Sequence, residues 1–411
     1  MNGSKALVSV IIPVYNTEEY LEECLDSVCN QTLGDIEIIC IDDASNDSSS
    51  EILERYARND DRIILLKNKF NQGQSISRNK GLEIATGEYI TFLDSDDLME
   101  HSAYEKLYEF AHDYNHDMVV FDAVRFNDEG VEWKSVLHSK AGYDRVYIQT
   151  NVFEHKNLIY DTSISKFIKK DFLDKNNFKF IENVLYEDLL FSMEVLCASK
   201  SLGVFPDVKY YWRVRYGYKK SVTQSVSEVK NLKDRITIIN KTLNILNSNK
   251  RNKSLLNVYY LKLAEIDILQ FINQLDSCSQ EFKRVMCKEV KPLVLKFPIE
   301  VFDKLDGMDR VKYILFLNDQ WDNLISLIIS HNELNDEIKH LKASNRKLYK
   351  SIKKKRDQLN KQRNVNYVLG NNYELNQENK ALKQEIKVIK STKGWLKYKT
   401  NNIYLRLFKK I

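Results

Sequence analysis

At 411 residues the chain is longer than one domain usually needs, so two or three modules are expected. Hydrophobic residues make up 43% and charged residues 29%, which excludes global disorder, and four prolines with 12 glycines argue against long flexible linkers. A net charge of +4 is too small to suggest a nucleic-acid partner for the whole chain.

The first hundred residues alternate two periods. Leu7 to Val14 and Ile36 to Ile41 are nearly continuous apolar runs, as in strands buried on both faces. Between them Tyr20, Leu21, Cys24, Leu25 and Val28 share one side of a helix spanning Glu18 to Cys29. A helix over Asp47 to Arg58, capped by Asp47 or Ser48, a strand over Arg62 to Leu66, a helix over Ser75 to Ala85 and a strand over Glu88 to Leu93 follow. Strand and helix in alternation predict an α/β fold, a Rossmann-like, mostly parallel sheet flanked by helices, with ligands at the carboxyl ends of the strands. Further strands are expected over Met118 to Phe126 and Val204 to Trp212. Helical spacing, as in Leu255, Val258, Tyr259, Leu263 and Ile266, then predicts a helical module over 227–330.

The six cysteines include no CxxC pair and no zinc-like spacing with histidine, so they read as reduced, mostly buried thiols. The N-terminus reads as a first strand instead of a signal peptide, and no apolar run reaches the roughly 18 residues of a membrane span. The expected location is the cytoplasm or the inner face of a membrane.

The loops at the strand ends carry the chemistry. Asp94-Ser95-Asp96 is a DxD tripeptide that directly follows an apolar strand, and its hard oxygens suit Mn2+ or Mg2+. Asp96 is the first choice for direct metal ligation; Asp94 binds the metal, a metal-bound water or a ribose, and Asp97 competes as a helix cap ahead of Leu98. Asp42 and Asp43 end the second strand, where an acid accepts from a base N–H or a ribose hydroxyl. Gly73 allows close backbone approach, and Arg78 behind it offers a cation, the alternative being a simple turn with Arg78 salt-bridged at the surface. Glu187 and Asp188 precede a helical run; Asp188 is placed to take a proton from an attacking hydroxyl, with a dipole-favoured acid at a helix start as the alternative. Arg213, Lys219, Lys220 and Ser221 form a basic, hydroxyl-rich stretch suited to closing over phosphates.

The C-terminal part is a different object. Leu334, Ile338, Leu341, Asn345, Leu348, Ile352, Lys355 and Leu359 follow a heptad seam, and a second phase runs from Leu375 to Ile389, with a break near 364–372. A coiled coil over 331–390 is expected, with a homo-oligomer formed through 334–389, a solvated single helix folded back on the body being the alternative. Residues 391–411 hold six basic residues and no acid, interleaved with Trp395, Tyr398, Ile403, Tyr404, Leu405, Leu407 and Phe408. Such a basic amphipathic tail suits an anionic membrane surface, with plain packing or disorder as alternatives; nothing resembles a base-reading module.

VSVIIPVYN, QTLGDIEIICIDDASNDSS, NQGQSISRNKGL, GEYITFLDSDD and YEDLLF occur in that order between about Val8 and Gln224. Together they resemble the family 2 glycosyltransferases, with the glycosyltransferase-A fold, over the N-terminal half of the chain. The resemblance implies a catalytic domain over 1–226 that moves a sugar, with inversion, from a nucleotide sugar, typically a UDP-sugar, to a hydroxyl of a glycan or cell-surface polymer. It implies that Pro13 and Tyr15 line the nucleotide pocket, that Asp43 meets the base and that Arg78 sits near the donor. It further implies Asp94 and Asp96 at the metal and Asp188 as general base. A histidine or arginine is common in the family's closing loop; Arg213, Lys219 and Lys220 are the counterparts here. Two other readings are a nucleotidyltransferase, which wants a glycine-rich basic loop where Pro13-Val14-Tyr15-Asn16 stands, and a non-catalytic scaffold whose working part is the coiled tail.

Overall fold

The computed structural model describes residues 6–127, 129–160, 162–215 and 226–369. Strands β1 (Val8–Val14), β2 (Ile36–Asp42), β3 (Ile63–Lys67) and β4 (Tyr89–Phe92) alternate with helices α1 (Leu21–Cys29), α2 (Ser49–Asn59) and α3 (Gln74–Ile84). β1 pairs in parallel with β2 and β4, and β2 with β3. Every residue of β1 and β2 is buried, because helices cover both faces, and this is why the two runs lack polar alternation.

Beyond β4 the sheet becomes mixed. β5 (Leu98–Met99), α4 (Ala103–Asp113), β6 (Met118–Phe126), β7 (Glu132–Trp133), α5 (Val136–Ala141), β8 (Tyr147–Thr150), β9 (Lys166–Lys169) and α6 (Lys170–Asn176) follow. Then come α7 (Glu187–Ala198), β10 (Leu202–Arg213) and α8 (Val229–Asn247). The spatial order is β3-β2-β1-β4-β9-β6-β10-β5, with β7 on β6 and β8 on β10. β9 lies antiparallel between β4 and β6, and β10 runs parallel to β6. Two reversals therefore restore the direction of β4 in β6 and β10, so β4 and β10 end on the same edge of the sheet. The expectation of a mostly parallel sheet describes its first four strands; the inserted β9 makes the whole sheet mixed.

Phe92, Phe180 and Phe191 fix α7 beneath the end of β4. The rings of Phe180 and Phe191 stack at 4.1 Å, and Phe92 meets them edge-on at 5.0 and 5.8 Å. Phe92 stands two residues before Asp94 and Phe191 three after Asp188, so this cluster sets the spacing between the two acidic loops. α3 crosses β1 closely enough that a Cβ on Gly81 would stand 2.5 Å from the Ile11 side chain.

The chain divides into two compact units. One holds residues 1–271 and 278–301, so the helices as far as Phe271 belong with the sheet, and the other holds 272–277 and 302–411. Within the second unit, helix Gly307–Leu317 is capped by Asp306, whose carboxylate accepts from the Asp309 N–H, and helix Trp321–Leu369 runs for 49 residues. Leu334, Ile338, Leu341 and Asn345 are half-buried while most residues between them are exposed, so the first half of the heptad seam forms a stripe. The helix continues through 364–369 without the expected break; residues 370–411, with the second heptad phase and the basic tail, lie outside the described residues. All six cysteines are free thiols. Among the described residues no helix is long and apolar enough to cross a membrane.

Replacing Phe191, 1% exposed, with alanine removes the ring that holds α7 to β4. The expected cost is about 3–5 kcal/mol, checked by the denaturant midpoint at unchanged slope.

Candidate active site

Four loops meet at the carboxyl edge of the sheet. Those after β1 and β2 are stitched to each other: the Asn16 N–H donates to Ser45 Oγ, the Asn46 N–H to Asn16 Oδ1 and the Thr17 N–H to Ser49 Oγ. Asn16 and Ala44 adopt positive φ of 52° and 60°, the latter an unfavourable conformation for a residue with a Cβ. Pro13 is buried in β1 beyond its ladder with β4, where a strand tolerates the missing N–H, and Tyr15 just after it is 44% exposed at the loop.

Asp43 works on the protein's own backbone. Its carboxylate accepts from Gln72 N at 2.9 Å, Gly73 N at 2.7 Å and Asn68 Nδ2 at 2.6 Å. These bonds shape the lead-in to α3, where Gly73 stands at φ 88°, a conformation that favours glycine. One turn into α3, Arg78 is 2% exposed. Its Nη2 donates to Asp94 Oδ1 and its Nη1 to Glu187 Oε1, each at 2.7 Å, and its guanidinium lies 5.3 Å from the centre of the Phe180 ring. Arg78 is thus a buried bridge between two acidic segments, which rules out the surface salt bridge that its sequence context also allowed.

The Asp94–Asp97 turn is braced residue by residue. The Asp94 N–H donates to the Tyr210 hydroxyl at 3.1 Å, and Ser95 Oγ accepts from Thr17 Oγ1 at 3.0 Å. Asp97, 1% exposed, accepts from the Tyr210 hydroxyl at 2.6 Å and the Arg213 N–H at 2.7 Å. Asp97 is no helix cap, because a short strand follows it; it ties the turn to β10. Burial, with Asp96 and Asp94 close by, pushes its carboxyl well above the usual range.

Arg213 also departs from its expected place. It is the last residue of β10, 7% exposed, with Nε donating to the Asp96 carbonyl at 2.8 Å and Nη2 to Glu23. The Phe126 ring lies 4.5 Å from its guanidinium. Arg213 therefore fixes the acidic turn from behind, because alternation along β10 turns it into the packed interior. Arg215, which the sequence reading passed over, is the arginine that reaches the metal-candidate acid: its Nε and Nη2 lie 2.7 and 2.6 Å from Asp96 Oδ2. The Arg-Val-Arg spacing at the end of a strand was the available signal. Lys219, Lys220 and Ser221 lie outside the described residues.

Glu187 and Asp188 open α7 behind Tyr186, which has φ 67°. Burial pushes the Glu187 carboxyl up to about 7 against the pull of Arg78, and Asp188 beside it pushes the same way. Asp188 is half-buried; desolvation raises its carboxyl, opposed by Arg78 and Arg235. Asp94 also raises both acids, so Arg78, Asp94, Glu187 and Asp188 form one electrostatic cluster, with Asp96 joined to it through Asp94. Among the described residues no three acidic, histidine or cysteine side chains converge at metal-binding geometry. The donor chemistry still fits a hard divalent cation: Asp94 and Asp96 are partly exposed carboxylates, and burial together with the negative Asp94 raises Asp96 despite Arg215.

Residues 9–176 match the family model described as Glycosyl transferase family 2. The N-terminal half of the chain is a family 2 glycosyltransferase domain. It is 32% identical over 212 residues to the poly(ribitol-phosphate) beta-glucosyltransferase of Bacillus spizizenii, covering 51% of this chain and 32% of that protein. It is 36% identical over 211 residues to the poly(ribitol-phosphate) beta-N-acetylglucosaminyltransferase TarP of Staphylococcus aureus, covering 50% and 62%. It is 34% identical over 232 residues to the cholesterol galactosyltransferase of Borreliella burgdorferi, covering 54% and 63%. The chain thus spans between 32% and 63% of the length of these relatives. In fold it resembles S. aureus TarS, with TM-score 0.61, 20% identity and coverage of 79% of this chain and 55% of that one. The structure of TarS residues 1–349 in complex with UDP-GlcNAc gives TM-score 0.56 and 22% identity, covering 79% and 91%. The family match stops before Glu187, so the arrangement of α7 and α8 rests on this structure's own contacts.

Removing the Arg78 side chain from the family 2 domain strands the Asp94 and Glu187 carboxylates. Arg78→Met is expected to cost about 3–5 kcal/mol. Arg78→Lys recovers only part of this, since an ammonium cannot make both bonds of a planar fork. Chemical denaturation of the three proteins measures both.

Proposed function

We propose that the chain is an inverting glycosyltransferase that moves a sugar from a UDP-sugar to a hydroxyl of a polyol-phosphate or related cell-surface glycan polymer. The observation that carries this reading is the Arg78 bridge, which ties the Asp94 turn to Glu187 at the start of α7, next to Asp188. The named activities of the relatives and the UDP-GlcNAc held by TarS support the donor and acceptor classes.

In this reading Pro13 and Tyr15 line the nucleotide pocket. Asp43 holds the Gly73 loop open to the donor and faces the base. Asp94 and Asp96 would hold Mn2+ or Mg2+. Such a cation would supply charge neutralisation for the departing diphosphate. Asp188 removes the proton from the acceptor hydroxyl as its oxygen attacks the anomeric carbon from the side opposite the diphosphate, which inverts that centre. Glu187, held by Arg78, keeps the start of α7 in place. Arg215 supplies a cation for the donor phosphates, and Lys219, Lys220 and the Ser221 hydroxyl are proposed to bind the same phosphates. Self-association along the Leu334–Asn345 stripe and adsorption of 391–411 to an anionic membrane belong to the same proposal.

The test is a panel of nucleotide sugars with manganese and a polyol-phosphate acceptor, following released nucleoside diphosphate. Asp188→Asn is expected to lower kcat by about 10²–10⁴-fold while leaving donor affinity within a few-fold. Retained turnover would remove Asp188 from the chemistry, and a scaffold would release nothing with any donor.

The pH dependence has a defined sign. Asp188 acts only when ionised, and burial raises its proton affinity, so activity is lost on acidification earlier than for a solvated aspartate. The acid limb of kcat/KM should therefore fall above the ordinary aspartate value of about 4. A rate profile between pH 4 and 9 measures it, and an acid midpoint at or below that value contradicts the assignment.

A further inference from the structure

Helix α8 lies beyond the family match and packs against α7. Three side chains from its first two turns reach the two residues just ahead of Glu187 and Asp188. The Tyr186 hydroxyl donates to Asn231 Oδ1. The Leu185 N–H donates to Asp234 Oδ2 at 3.2 Å. The Arg235 guanidinium lies 4.3 Å from the centre of the Tyr186 ring. Tyr186 is held at φ 67°, where a bulky L-residue does not rest unless its surroundings impose it.

Behind these contacts stands a second layer. Arg235 pairs with Asp267, and Lys262 Nζ lies 2.9 Å from the other oxygen of that carboxylate. Arg235 is 5% exposed, and Lys262 and Asp267 are each 2% exposed. Lys262 and Asp267 are five residues apart, a spacing that an α-helix places on different sides. The segment Leu263–Asp267 is a π-turn, whose wider winding brings them together. A buried charge triad is seldom more stable than an apolar filling of the same volume, so its presence calls for a role other than stability. Its Arg235 guanidinium is the part that meets the Tyr186 ring.

We infer that α8 clamps the lead-in to α7: Asn231, Asp234 and Arg235 hold Tyr186 in its strained conformation and so aim the Asp188 carboxylate, with Asp267 and Lys262 anchoring Arg235. These are positioning residues; none is required to touch substrate. The inference rests on Asp188 being the general base.

Two measurements on the full chain test it, with Asp188→Asn as reference. The first is a double-mutant cycle of Tyr186→Phe and Asn231→Ala, using the nucleotide sugar with the highest turnover in the panel and UDP for binding. Each single variant should lower kcat by about tenfold with donor KM and UDP affinity unchanged, as expected of a misaimed base. The double variant should lose no more than either single one, because both break the same bond. Arg235→Met should behave like the singles, and Arg235→Lys should recover most of the loss by restoring the cation over the ring. The second is amide hydrogen exchange of 184–191, which needs no donor. Asn231→Ala should exchange faster there and nowhere else in the sheet unit. Multiplicative losses in the cycle, losses confined to KM, or exchange unchanged in 184–191 would each overturn the clamp. If Asp188→Asn keeps its turnover, the base assignment falls and takes the catalytic part of this inference with it, a result distinct from an inert α8 behind a dead Asp188→Asn.

Discussion

One buried guanidinium holds the functional edge of this molecule together. Arg78 has two short bonds to carboxylates that come from segments 16 and 109 residues away. A lysine there would make one of them well and leave the other acid buried. Because the bridge is desolvated, its removal is felt as stranded charge as well as lost attraction. The Asp94 turn, the start of α7 and the Gly73 loop take their relative positions from this one side chain and from the Phe92, Phe180 and Phe191 rings beside it.

Around Arg78 the carboxylates outnumber their local cations in a poorly solvated place. Asp96, Asp97, Glu187 and Asp188 all hold their protons more tightly than in water, chiefly through burial. Such an arrangement stores electrostatic free energy and favours the protonated form of each of these acids. Asp97 shows the other use of burial: bonded to Tyr210 and the backbone of Arg213, it is a brace that keeps the neighbouring acids in register. The clamp from α8 extends the same logic, since polar contacts on Tyr186 fix a backbone conformation that the chain would not choose alone.

Neighbouring acids in one four-residue turn thus have different surroundings, and sequence spacing does not distinguish them. Asp94 and Asp96 stay partly exposed, while Asp97 turns inward. Arg213 and Arg215 divide in the same way at the end of β10, one packed over Phe126 and the other on Asp96. Reading Asp97 as a helix cap and Arg213 as part of a closing loop followed from their residue types; the strand at Leu98 and the burial of β10 decided otherwise. Asn231 and Arg235 carried no motif, and only the position of α8 gives them meaning.

The sequence by itself determined the strand and helix alternation of the first hundred residues, the family of the N-terminal half and the acidic loops at the strand ends. These are written in local periodicity and in short motifs, and a residue's own neighbours suffice to impose them. Only the tertiary structure decided that β9 enters between β4 and β6, that Arg78 is buried between Asp94 and Glu187, that Asp43 holds the Gly73 loop, and that α8 reaches Tyr186. Each of these joins segments remote along the chain, and such pairings are selected by burial and charge satisfaction in three dimensions, which no local pattern encodes.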